Sequence, residues 1–166
     1  MARTRYPLEQ VLQVKRKRED DAAKVVKEKK QALEKEEEKL MKLVAKRDEV
    51  KNHYDDKLKQ LRQTLDEGTT SDKIQQAKSY LKIVQGNLEK EEKKVKEQKD
   101  QVAIAQKNYE AALADLKARR QEVEKIRIHK EEWEKEESKR IELKEENEQD
   151  EIGSTMYLNK QRKDKQ

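Results

Sequence analysis

A seven-residue apolar repeat runs along almost the whole of this chain and is broken once, at Glu67-Gly68-Thr69-Thr70-Ser71. In the later half Ile74, Leu81, Leu88, Val95, Val102, Tyr109, Leu116 and Val123 fall seven apart, with Ala77, Val84, Ala105, Ala112, Ile126 and Trp133 on interleaved positions. Apolar side chains recurring every 3.5 residues over such a length specify helices supercoiled left-handedly against a partner helix. The break selects the partner. A chain that reverses near residue 69 pairs with itself, so the sequence predicts an all-α fold, two long helices forming an antiparallel coiled-coil hairpin with the second helix longer.

Composition removes the competing folds. Of 166 residues only 31% are hydrophobic, 48% are charged and Phe is absent, which leaves too little apolar material for an ordinary packed core. A chain this polar would be disordered if its apolar residues were scattered, but the seam is continuous from 8 to 133. The pattern therefore predicts one helical hairpin over 1–166: helix 1 at about 7–66, a hinge at 67–71, helix 2 at about 72–148 and a C-terminal tail at 149–166. At 1.5 Å per residue the helices are roughly 85–90 and 110 Å long. Pro7 suits a first helical turn, where its missing N–H costs nothing. Gly68 suits a C-terminal cap at positive φ, and Ser71 or Asp72 an N-cap, Asp72 with Gln75 resembling a capping box.

Folding about residue 69.5 pairs positions whose numbers sum to about 139. The first helix then contributes Leu8, Leu12, Ala22, Val26, Leu33, Leu40, Leu43, Val50, Tyr54, Leu58, Leu61 and Leu65, with Lys15, Glu19, Lys29, Glu36 and Arg47 as polar intruders. Leu65 should meet Ile74, and Leu58 should meet Leu81. Arg47 should face Glu91 or Glu92, a polar pair that fixes register more than it stabilises. Tyr6 should meet Trp133, where the second helix's repeat stops. Beyond it Glu137, Arg140 and Lys144 take the seam positions, so the acidic run should continue as an uncovered helix held partly by Glu–Lys pairs four apart.

Catalytic chemistry finds no footing in this pattern. The two histidines, His53 and His129, fall on different levels of the hairpin, and with no cysteine no metal-ligand spacing results. Catalytic carboxylates need burial or a shaped pocket, and no glycine-rich phosphate loop occurs. The expectation is no enzyme, no cofactor and no metal. The start lacks an apolar signal segment and no stretch is apolar enough to span a bilayer, so a cytoplasmic protein is expected.

Function must then lie in contacts. The net charge of +5 is unevenly placed. Residues 1–30 are basic, through Arg3, Arg5, Lys15 to Arg18 and others; residues 130–151 carry eleven acids against five bases; Lys160, Arg162, Lys163 and Lys165 turn basic again. Blocks of this kind suit complementary protein surfaces better than a nucleic-acid stripe, which would also want stacking aromatics or a groove-reading motif. A nucleic-acid-binding arm, motivated by a pI of 9.1, remains as a third reading. Val14, Met41, Ile83, Ile104 and Ile128 fall on outer positions, mostly ordinary surface scatter. The functional alternative groups Tyr80, Ile83 and Val84 as a partner face near the hinge.

The run from Tyr6 to Ala22, an apolar turn followed by Arg18-Glu19-Asp20-Asp21-Ala22, resembles the start of the YscO/FliJ family of type III secretion and flagellar export proteins. The tail Asp150-Glu151-Ile152, small residues, then Lys and Arg, is similar to the family's C-terminal pattern. The resemblance implies a YscO-type member: a cytoplasmic, non-enzymatic central stalk at the base of a bacterial secretion apparatus, touching the membrane only through partners and in some readings itself secreted. It implies insertion into a hexameric secretion ATPase, a link to an export-gate protein, and secretion chaperones or a needle-length regulator as further partners, with no nucleic acid. On that reading Arg16, Arg18, Glu19, Asp150 and Glu151 form the ATPase end, and Tyr80, Ile83 and Val84 the hinge side facing gate or chaperone. The alternative is a generic scaffold that forms a long dimer of helices.

Overall fold

A computed structural model describes residues 4–164, so Arg3 and Lys165 of the basic blocks lie outside it. The chain folds into two long helices, α1 (Glu9–Glu67) and α2 (Ser71–Lys163), arranged as an antiparallel helical hairpin with α2 the longer. No strand occurs among the described residues. No helix among them is long and apolar enough to cross a membrane.

The helix ends follow from local chemistry. Pro7 lies ahead of α1, at the second position of a turn closed by the Glu9 amide on the Tyr6 carbonyl at 3.2 Å, a place its fixed φ favours. The first α-type bond runs from the Leu12 amide to the Leu8 carbonyl, at 2.9 Å, so the helix begins two residues later than Pro7 suggested. At the other end Gly68 adopts φ 80° and its amide reaches the Leu65 carbonyl at 3.4 Å, closing α1 in a conformation that side-chain-bearing residues avoid. Thr70, rather than Ser71 or Asp72, takes the N-cap of α2: its carbonyl accepts the Ile74 amide at 3.2 Å. Asp72 stays in the first turn, where a negative charge complements the helix dipole.

α2 does not stop near 148. It continues through the segment expected as a tail and ends at Lys163. The apolar repeat ends at Trp133, but a helix already nucleated extends without paying nucleation again. Gly153 is the poorest helix former of this stretch, at about 1 kcal/mol relative to Ala, and no proline interrupts it. The Thr155 hydroxyl donates to the Glu151 carbonyl at 2.8 Å, and Lys160, Arg162 and Lys163 complement the dipole at the last turn.

The chain divides into two compact units, Ala23–Asp115 and the pair Met1–Ala22 with Leu116–Gln166. Within Ala23–Asp115 the core is a seam containing Leu33, Leu61, Val84 and Val95, all buried, with Ile74, Ala77, Leu81, Leu88, Val102, Ala105, Tyr109 and Ala112 half-buried. Within the other unit Leu12 is fully enclosed and Tyr6, Ala22 and Leu116 are buried, with Val123, Ile126 and Trp133 half-buried beside them. The seam positions anticipated on α2 are thus all buried or half-buried. Leu8 and Leu65 depart from expectation: both are exposed, Leu8 in the turn that precedes α1 and Leu65 in the last turn of α1 beside the hinge.

Candidate functional site

The unit built on both termini is held by polar contacts across the two helices. Tyr6, in the segment before α1, lies 5.4 Å from Trp133 ring to ring, the meeting anticipated from the fold point. Its hydroxyl is 2.6 Å from Nδ1 of His129, and the two rings lie 5.8 Å apart. Glu9 receives the Lys130 ammonium at 2.8 Å, Glu122 receives that of Lys15 at 2.9 Å, and Glu19 lies 3.4 Å from the Arg120 guanidinium. Each ammonium holds its carboxyl below the ordinary range, Lys130 that of Glu9 and Lys15 that of Glu122. Thr4 reaches further out and donates to Glu137 at 2.5 Å; that bond, then Arg140, lowers the Glu137 carboxyl. Glu137 is therefore covered, where the seam pattern had left it bare. A groove of about 590 Å³ runs beside these residues, lined by Arg5, Trp133, Ser138 and Ile141 among others.

The proposed terminal surface does not form one patch. Arg16 and Arg18 are exposed on α1 and Glu19 is half-buried against Arg120. Asp150 and Glu151 are exposed on α2, but roughly 40 Å farther along it than the residues opposite Arg16. The family resemblance groups them as one open end, with 149–166 taken for a tail rather than helix.

Near the hinge the surface is a shallow groove of about 260 Å³, lined by Glu49, Val50 and His53 of α1 and Tyr80, Ile83, Val84 and Asn87 of α2. Tyr80 is 45% exposed and Ile83 62%, whereas Val84 is only 4% exposed. Val84 belongs to the seam and cannot be a contact residue; it supports the groove from beneath. His53 entered the sequence reading only as a histidine too isolated to ligate a metal, not as part of this surface. Its Nε2 is 2.9 Å from the Tyr80 hydroxyl, its ring meets that of Tyr80 edge-on at 6.0 Å, and Lys57 stands 5.8 Å over the Tyr80 ring. These contacts fix a tyrosine that would otherwise swing freely. The only sequence signal was that both residues lie on flanking positions of paired helices.

Among the described residues no group of three or more His, Cys, Asp or Glu side chains could hold a metal. What the surfaces offer is shape, charge and two ordered aromatic clusters.

The sequence profile of YscO-like proteins matches residues 3–163. The chain belongs to the YscO-like family. It is a family of type III secretion. The solved structure of CT670 from Chlamydia trachomatis, described as a candidate YscO homolog, matches with a TM-score of 0.90 and 52% identity, over 95% of this chain and 98% of that one. The structure of the Chlamydia pneumoniae CdsV and CdsO protein complex contains a chain 55% identical, at a TM-score of 0.47, over 48% of this chain and 96% of that one. A comparison with curated proteins finds no match.

In this YscO-like protein Glu91 is a further departure. It is buried in the seam, with Oε1 3.0 Å from Lys94 and 3.8 Å from Lys46 and Oε2 without a partner. Arg47 does not reach it, turning instead to Asp48 at 2.8 Å. The reason is solvation: a guanidinium can meet the adjacent, more exposed carboxylate with less loss of hydration than at the buried Glu91.

Proposed function

We propose that this YscO-like protein is a non-enzymatic stalk and adaptor on the cytoplasmic side of a type III secretion apparatus, linking the hexameric secretion ATPase to the export gate. The observation that carries the reading is family membership over nearly the whole chain, joined to a hairpin whose two units expose different chemistry. The unit holding both termini presents charge, through Arg16, Arg18, Asp150 and Glu151, and is assigned to the ATPase. The other presents Tyr80 and Ile83, which we assign to the gate or to a chaperone, with Val84 in a supporting role.

Capture of the cognate ATPase tests the assignment. Reversing Arg16 and Arg18 to Glu, or Asp150 and Glu151 to Lys, should weaken capture at least tenfold while leaving the helical content intact. A Tyr80→Ala, Ile83→Asp pair should leave ATPase capture unchanged and reduce retention by the gate protein. Full ATPase capture by both charge-reversed proteins would sink the terminal assignment.

A further inference from the structure

Every residue of α2 from 142 to 163 is exposed, and α1 covers none of them. This helix carries its own complement. Glu142, Glu145, Glu146, Glu148, Asp150 and Glu151 precede an apolar centre, and Lys160, Arg162 and Lys163 follow it. In the centre Ile152 is 57% exposed and Leu158 54%, isolated from the seam of the hairpin. None of Asp150, Glu151, Lys160, Arg162 and Lys163 has an oppositely charged partner among the described residues.

An order of acid, apolar, base along one helix fits the same order reversed. We propose that two copies of this chain pair antiparallel through this segment, about a two-fold axis at Thr155. Positions 148, 151, 152, 155, 158, 159 and 162 follow the heptad spacing of a single helix face, and reversal about 155 maps that set onto itself. Ile152 of each copy then meets Leu158 of the other, Glu148 meets Arg162, and Glu151 meets Asn159. The symmetry makes the interface isologous, each pair occurring twice. Thr155 can lie on the axis because its hydroxyl already donates within its own helix, to Glu151, so burial leaves no donor stranded.

The register also fits the space. Level with the last helical residue of one copy, Lys163, lies residue 147 of the other. Pairing therefore stays within the uncovered stretch and ends short of Ile141 and Glu137, where Thr4 and its neighbours lie on α2. A parallel arrangement would set acid against acid and base against base, which costs rather than stabilises. The inference goes beyond the stalk reading and does not depend on it, since no ATPase or gate protein takes part.

Sedimentation of the full chain at low salt tests it. The average mass should rise with concentration from 19.8 kDa toward twice that value. Glu148→Arg alone and Arg162→Glu alone should each weaken association by about three- to tenfold, the range of two exposed ion pairs lost together. The double swap in one chain should restore it, because the reversed charges meet again across the axis. Leu158→Glu should leave a monomer. The chain has no cysteine, so Thr155→Cys should give a disulfide-linked dimer readily on mild oxidation, and Glu142→Cys should not. A constant monomer mass overturns the proposal. So does a double swap no better than its single components, or equal cross-linking at both positions, which would mean random collision or another register.

Discussion

The two units of the hairpin use the same two helices and are held in different ways. Across Ala23–Asp115 the helices meet mainly through apolar side chains, with Gln98 on Glu36 at 2.6 Å, Lys46 on Glu91 at 3.8 Å and the His53–Tyr80 contact as polar additions. In the unit with both termini, Glu9–Lys130, Lys15–Glu122 and Glu19–Arg120 cross between the helices, and Thr4–Glu137 and Tyr6–His129 tie the segment before α1 to α2. Apolar burial neither titrates nor is screened by salt, whereas charge pairs at a surface are weakened by both acid and salt. The hinge unit is thus the persistent part of the seam, and the terminal unit the part that conditions and partners can loosen.

The largest test of this contrast sets Leu12→Ala against Leu33→Ala. Leu12 is 0% exposed, so truncation should cost roughly 3 kcal/mol, within the range for core leucines, read from urea denaturation followed by circular dichroism. Its loss of amide protection should be confined to 9–22, whereas Leu33→Ala should deprotect the hinge unit. Equal deprotection throughout would show one cooperative body and erase the contrast.

Glu91→Leu should move stability the other way, upward by about 1 kcal/mol, because it removes a buried oxygen without a partner and leaves the exposed Lys46 and Lys94 in water. A lower denaturation midpoint would mean that Glu91 holds register by means the contacts do not explain. Gly68→Ala should cost about 1 kcal/mol, since a Cβ meets no neighbour there but the φ of 80° is strained for alanine; thermal melting measures it.

Acid should act on the terminal unit first. The carboxyls of Glu9, Glu122 and Glu137, held low by Lys130, Lys15 and Thr4, are lowered on folding from an ordinary 4.5. A depressed folded value contributes stability that is complete above about 4.5 and lost as pH falls through the lowered values. Amide exchange, corrected for intrinsic rates, should therefore rise in 9–22 at a higher pH than in 23–67. The hinge unit has Glu36, lowered by Lys39 of its own helix and then by Gln98 from the other, and Glu38, lowered by Lys42 of its own helix alone. All these groups but the exposed Glu38 are half-buried, and all are reached by solvent, which screens their pairs, so this is the smallest of the expected effects.

The fold was legible in the sequence because heptad spacing reports directly on which side chains are enclosed, and one glycine-bearing break fixes both direction and register. Tyr6 and Trp133 could be matched by number alone. Three things were not legible. Helical continuation past 148 depends on propensity and nucleation, to which an apolar repeat is blind. Arg47's turn toward Asp48 is a choice among rotamers that no spacing encodes. The scatter of Arg16, Arg18, Glu19, Asp150 and Glu151 follows from that same helical continuation. Val84 was assigned to a surface although its own seven-residue spacing placed it in the seam, and there the periodicity was the better guide.

The tilted ring contact of Tyr6 with Trp133 has a consequence for observation. Trp133 is the single tryptophan of the chain, and its indole rests half-buried against the segment that precedes α1. Lifting that segment away would bare the ring to water and move its emission to longer wavelength. The protein thus carries a built-in optical reporter beside its charged end, and engagement of that end can be followed in real time without attaching a dye.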